Sequence, residues 1–149
     1  MDLNQLPDLS GCIPHSGPMK LIDRYLGWYP QDKLCMTAGL VTSDRRSVDE
    51  NGVFKSEWLL EMMAQGVAAH FYLSGVRSGP PKPGFLVSVR RYSVRSLPEI
   101  RIGDELIIRS VFEAGVFPVG SYLSEIYLQN KCLAESDMTF IVSEKGGWH

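Results

Sequence analysis

The sequence predicts an α+β domain in which one curved antiparallel sheet wraps a single long central helix. Three observations carry this. An almost uniformly apolar run of helical length lies between residues 57 and 73, two strand-like segments precede it, and four consecutive strand-like segments follow it. Consecutive strands with short connections favour antiparallel pairing. A helix that is apolar all round has to be hidden, and the nearest cover is one face of the sheet. The 149 residues suit one domain spanning 1–149.

Met19 to Trp28 mixes apolar and polar residues in a strand-like way. Tyr29-Pro30-Gln31-Asp32 is a turn, because proline presets one backbone angle and aspartate tolerates tight bends. Lys33 to Val41 is the second strand, with Leu34, Met36, Ala38 and Leu40 on one face, and the two form a hairpin. Thr42 to Lys55 is polar, carries the turn signal Asn51-Gly52, and reads as a loop. Glu57 to Leu73 is the helix. Ser56 stands at the capping position, Glu57 suits the positive end of the helix dipole, and Gly75 follows the last turn. At a rise of about 1.5 Å per residue the helix is about 25 Å long. The apolar run is shorter than the ~20 residues of a membrane span, and it contains Glu61, Gln65 and His70, so a buried helix is the better reading.

The stiff segment Ser78 to Gly84 ends the helical region. The four later strands are Phe85 to Val94, Glu105 to Glu113, Ser121 to Leu128 and Leu133 to Ser143. Ile102-Gly103-Asp104, Gly115 to Gly120 and Gln129-Asn130-Lys131 separate them. Gly115 to Gly120 is apolar for a turn and is expected to tuck against the core or to meet a partner. Such a sheet leaves open edges, and a homodimer is the default expectation.

Composition excludes several classes. Hydrophobic residues make up 44% and charged residues 21%, which excludes intrinsic disorder. Fifteen basic residues against seventeen acidic ones argue against a nucleic-acid binder. Cys12, Cys35 and Cys132 are scattered, an odd count that favours a reducing compartment over a disulfide framework or zinc site. The start has no basic region followed by an apolar run, so a cytoplasmic protein is expected. No metal constellation and no nucleotide-binding glycine loop is present, and no cofactor is expected.

Several segments together resemble a known family. Ile13-Pro14-His15-Ser16-Gly17-Pro18-Met19-Lys20-Leu21-Ile22-Asp23-Arg24 resembles the opening of 3-hydroxyacyl-acyl-carrier-protein dehydratases. Glu61-Met62-Met63-Ala64-Gln65 resembles their central-helix Glu-x-x-Ala-Gln, and Ile102-Gly103-Asp104-Glu105-Leu106 resembles the Pro-Gly-Asp-x-Leu that opens a later strand. Pro83-Gly84-Phe85-Leu86 with Arg90-Arg91-Tyr92 looks like the dehydratase-like branch of aryl-polyene-type biosynthesis clusters. The resemblance covers residues 13 to about 143 and implies a hotdog fold. It also implies an acyl carrier protein as partner, a substrate bearing phosphopantetheine, and a homodimer or a heterodimer with a related dehydratase. One departure stands out. The type II fatty-acid dehydratases carry a catalytic histidine in a Gly-His-Phe-Pro-Gly segment before the helix, and the matching position here is near Ser47, in Arg45-Arg46-Ser47-Val48-Asp49-Glu50.

Dehydration of a 3-hydroxyacyl thioester needs a base for the proton beside the carbonyl and an acid for the leaving oxygen. Backbone N–H groups at a helix N-terminus, here around Glu57 to Leu60, suit the developing charge on the carbonyl oxygen. Glu61, a carboxylate in an apolar helix, is the first candidate for the chemistry; the competing reading is a polar edge or an interface hydrogen bond. Gln65, one turn on, either orients that carboxylate or is a satisfied buried amide bonding across a dimer. His15 is the remaining candidate base, against a purely structural role. His70 points nearly opposite Glu61 at about 100° per residue and reads as structural.

From Arg77 to Arg109 there are seven basic and three acidic residues, a net +4, leaving −6 for the rest. This is either a solvated sheet face or a landing patch for an acidic carrier protein. Arg91 and Arg95 fall on one strand face and Arg90 on the other. The resemblance adds Gly84 and Phe85 to the carrier- or substrate-binding candidates. Three functions compete: a dehydratase, a hotdog thioesterase whose helix carboxylate activates water, and a non-catalytic partner of an active dehydratase.

Overall fold

The computed structural model describes residues 20–74, 84–116 and 119–142, with backbone alone for 70–74, 84–87 and 142. The strands are β1 (Arg24–Tyr29), β2 (Leu34–Leu40), β3 (Gly84–Val94), β4 (Glu105–Ala114), β5 (Val119–Leu128) and β6 (Lys131–Val142). A 3-10 turn, Ser56–Trp58, leads into α1, Leu59–Ser74. All pairings are antiparallel in one six-stranded sheet of order β1-β2-β4-β5-β6-β3. β1 and β3 are the edges.

Over its described side chains the helix is buried because they leave no polar face to present to water. Leu59, Met62, Met63, Val67 and Ala69 are all 2% exposed or less. They pack with Ile108, Tyr122, Ile126, Met138 and Phe140 from the sheet. Close approach depends on small residues. A methyl group added at Gly66 would stand 3.0 Å from Thr37 Oγ1 and 3.1 Å from Ile108 Cγ2. One added at Gly39 would stand 2.1 Å from the Leu21 carbonyl oxygen and 2.6 Å from Met62 Cε. Ser110, Ser124 and Ser136 sit side by side on β4, β5 and β6, each 1% exposed or less, and continue this low-profile floor.

That floor explains a difference from the sequence pattern. The apolar set Leu34, Met36, Ala38 and Leu40 lies on the face of β2 turned away from the helix, since Thr37 and Gly39 face α1. The first strand is also shorter than predicted. Residues 20–23 lie outside the ladder, because Asp23 Oδ2 accepts the Leu40 N–H at 2.7 Å and Arg45 takes the Leu21 carbonyl. The expected Ser56 cap is not formed. Lys55 holds the N-cap position without a side-chain hydrogen bond, and Ser56 begins the 3-10 turn.

The predicted turn at Asn51-Gly52 is present, with Gly52 at φ +77°. Asp49 Oδ1 accepts the N–H groups of Asn51 and Val53 at 2.8 and 3.0 Å. An isolated bridge Val48–Phe54 closes this loop on itself, and another, Val53–Arg101, ties it to the segment before β4. In the β4–β5 connection Gly115 is at φ +130°, and a Cβ there would meet the Val119 carbonyl oxygen at 2.4 Å. Val116 does not tuck against the core but is 84% exposed. Among the described residues no helix is long and apolar enough to cross a membrane.

Candidate active site

The floor of small residues seats the start of α1 against the segment before β1, and this brings the site together. Glu61 lies in the first turn of α1 and is partly buried. Gln65 stands one turn further and is fully buried. Its Nε2 donates to Glu61 Oε1 at 3.2 Å, and its Oε1 accepts the Leu21 N–H at 2.8 Å. The second contact fixes the amide's orientation, since an oxygen facing a donor turns the amino group toward Glu61. Gln65 thus makes both contacts, to the Leu21 N–H and to the Glu61 carboxylate, within one chain.

Two residues that spacing did not single out for this site complete its frame. Arg45 Nη1 donates to the Leu21 carbonyl at 2.9 Å, to the Leu40 carbonyl at 3.1 Å and to Asp23 Oδ2 at 3.2 Å. Its Nη2 donates to Asp23 Oδ1. The Arg45 side chain is 11% exposed, well shielded for an arginine. Asp23-Arg24 was legible as a family-like pair, but its members part company. Asp23 turns to Arg45, while Arg24 reaches Glu105 Oε1 and Oε2 at 2.7 Å each. No periodicity marks Arg45, which stands in a polar loop. Ser47, in the stretch lacking the usual histidine, is 2% exposed, and its carbonyl accepts the Lys55 N–H at 2.7 Å.

His15 lies outside the described residues, as do Arg77 and Lys82, and of His70 and Phe85 only the backbone is described. Gly84 and Phe85 open β3, in register with Val142 and Ile141 of β6. Arg90 and Arg91 are exposed on β3, with an irregularity between Val89 and Arg91. Much of the remaining basic section is paired. Arg95 meets Glu135 at 2.8 Å, Arg101 meets Glu99 at 2.8 Å, and Arg109 meets Glu125 at 3.5 Å. The Arg95 guanidinium holds the Glu135 carboxyl below its ordinary range. A shallow cavity of about 340 Å³, lined by Met36, Ile107, Arg109, Tyr127, Gln129 and Asn130, lies on the sheet face away from α1. It is separate from Glu61, and its arginine is engaged by Glu125.

Burial, with Glu125 nearby, pushes the Cys132 thiol up, which disfavours a thiolate nucleophile there. Among the described residues no group of three or more His, Cys, Asp or Glu side chains is placed to hold a metal ion.

One helix laid across a six-stranded antiparallel sheet defines the class: a hotdog-fold protein. Within that class the chain belongs to the ApeP-like family, described as ApeP dehydratase, whose model matches residues 7–145. No curated protein matches at the level of sequence. Among solved structures, the dehydratase heterocomplex ApeI:P from Xenorhabdus doucetiae is similar, with a TM-score of 0.79 and 19% identity over 95% of this chain and 94% of that one. A variant of the phenylacetic acid degradation protein PaaI from Thermus thermophilus superposes with a TM-score of 0.56, at 18% identity over 79% and 90% of the two chains. A hypothetical thioesterase with coenzyme A from Streptococcus pneumoniae does so with a TM-score of 0.56, at 14% identity over 80% and 84%. At these identities the shared property is the fold.

Proposed function

We propose that this chain is a cytoplasmic dehydratase subunit acting on 3-hydroxyacyl thioesters carried by an acyl carrier protein, and that Glu61 is its acid–base group. The observation that carries the reading is the held carboxylate: Glu61, partly buried at the start of α1, with Gln65 Nε2 at 3.2 Å from its Oε1. In the reaction a base takes the C2 proton, the C2=C3 bond forms, and the 3-hydroxyl leaves as water after receiving a proton. Glu61 delivers that proton. The chain's histidines are His15, His70 and His149, and none falls near position 47 in the sequence. The C2 base is therefore supplied by a histidine-bearing dehydratase paired with this chain, with His15 as the second candidate. The similarity to a structure described as a dehydratase heterocomplex supports such pairing. The carrier protein meets the exposed Arg90 and Arg91 on β3, with Arg95, Gly84 and Phe85 as the further candidates. Chemistry of this kind runs on side chains and calls for no resident cofactor; the phosphopantetheine belongs to the substrate.

The test follows enoyl absorbance and free thiol together, on 3-hydroxybutyryl and crotonyl thioesters. The chain is assayed alone and with a histidine-bearing hotdog dehydratase. Enoyl formation without thiol release is the expected result. Thiol release marks a thioesterase instead. Activity restored only by the partner and insensitive to Glu61→Gln marks a non-catalytic subunit. Glu61→Gln is expected to lower turnover by roughly 10²–10⁴-fold in a folded protein, and His15→Ala to cost less. Full activity in Glu61→Gln removes Glu61 from the mechanism.

A further inference from the structure

We infer that Arg45 is a positioning residue for the Glu61 carboxylate, acting with Asp23 through the Leu21 backbone and Gln65. The inference rests on Glu61 being the reacting carboxylate. Four consecutive contacts connect the two ends. Arg45 is forked onto Asp23 and donates to the Leu21 carbonyl at 2.9 Å. The Leu21 N–H donates to Gln65 Oε1 at 2.8 Å, and Gln65 Nε2 donates to Glu61 Oε1 at 3.2 Å. Leu21 thus uses its carbonyl on the arginine side and its N–H on the glutamate side. A shift of its backbone moves the amide that faces Glu61.

Residues 20–23 precede β1 and have no ladder of their own. What places Leu21 along this stretch is a small set of contacts. The Asp23 N–H donates to the Ala38 carbonyl at 2.8 Å, Asp23 Oδ2 takes the Leu40 N–H at 2.7 Å, and the Leu21 carbonyl crosses directly over Gly39. Arg45 joins these points, because its guanidinium meets the Leu21 carbonyl, the Leu40 carbonyl and both Asp23 oxygens at once. A planar fork with several fixed donors can do this, and an ammonium cannot. The Leu21 and Ile22 side chains are 1% exposed or less, so apolar burial holds the segment in the core whatever Arg45 does. Burial sets depth; the guanidinium holds the Leu21–Ile22 peptide by its carbonyl, one Cα away from the N–H that meets Gln65. Small misplacements of a reacting group are costly, which gives that hold a catalytic consequence.

The experiment compares wild type, Arg45→Met, Arg45→Lys and Asp23→Asn as ¹⁵N-labelled full-length protein, and in the thioester assay with the histidine-bearing partner. The first readout is the Gln65 side-chain amide pair and hydrogen exchange at the Leu21 amide, neither of which needs activity. Arg45→Met is expected to move the Gln65 pair and to speed Leu21 exchange about tenfold or more, with the rest of the spectrum retained. The second readout is the kinetic split: kcat falls about tenfold or more while KM stays within about twofold, since orientation and not substrate contact is lost. Arg45→Lys falls between wild type and Met. Asp23→Asn keeps the shape, removes the charge pair, and shows the same direction if Arg45→Met fails to fold. An unmoved Gln65 pair and unchanged Leu21 exchange in a folded Arg45→Met or Asp23→Asn overturn the inference. So does an unchanged kcat beside a Glu61→Gln that is inactive. An active Glu61→Gln removes Glu61 from the mechanism instead, and with it the catalytic consequence of the relay.

Discussion

Gln65 shows how much one buried side chain can decide. Its amide satisfies the Leu21 N–H and faces the Glu61 carboxylate, so it serves stability and site geometry together. Gln65→Leu keeps the volume roughly and removes both contacts. A buried N–H left without its acceptor costs about 1–3 kcal/mol. The urea midpoint is expected to fall accordingly, and turnover is expected to fall with it; an unchanged midpoint means that Leu21 finds another acceptor. Tyr122 carries a second residue-scale consequence. It is 2% exposed, packed edge-on against Phe112 and Phe140, and burial pushes its phenol well above the ordinary range. The folded-state pKa is raised, so the contribution is complete below the unfolded value and is lost as pH rises past it. Unfolded tyrosine ionises near pH 10. Stability is therefore expected to decline above about pH 10 in wild type, and less steeply in Tyr122→Phe, as urea midpoints from pH 8 to 11 will show.

Elements were legible to different depths. The long helix and all six strands follow from periodicity and turn chemistry in the order observed, because a greasy run, a glycine turn and a proline each act locally. Which face of β2 meets the helix was not legible. The alternating apolar set Leu34, Met36, Ala38 and Leu40 marks one face clearly, yet the helix lies over Thr37 and Gly39. Clearance outranks hydrophobicity here: α1 needs a low floor, and small residues provide it. The site divides in the same way. Glu61 and Gln65 share a helix ridge, so spacing and resemblance find both. Asp23 and Arg45 stand 22 residues apart and meet across a loop, where no period applies. Gly39→Ala tests the clearance argument. Its methyl group would stand 2.1 Å from a backbone oxygen, which cannot swing aside like a side chain tip. A loss of about 1–3 kcal/mol or more is expected in urea unfolding. A neutral result means that residues 20–23 move without cost, and would weaken the positioning role of Leu21 as well.

Across the whole molecule, the two edges of the sheet differ in how they are finished. β1 is six residues long and ends in a turn, and its Arg24 is committed to Glu105. β3 is eleven residues long, pairs among the described residues only with β6, and carries Val89, Tyr92 and Val94 at 38%, 40% and 43% exposure. A long edge strand with large apolar side chains in water is a template for pairing. It is also the strand that carries Arg90 and Arg91. The proposed heterodimer is expected to use the β3 edge, which would set the exposed arginines beside the partner. Replacing Val89, Tyr92 and Val94 together with lysine blocks this edge in the way natural edge strands are blocked, with charge. These three side chains are exposed in the single chain, so the fold should survive, with an unchanged far-ultraviolet circular dichroism spectrum. Sedimentation velocity is expected to show loss of self-association and of the complex with the histidine-bearing dehydratase, and enoyl formation should disappear with the complex. Assemblies that persist in the folded triple variant would place the pairing surface elsewhere and would separate the arginines of β3 from the partnership.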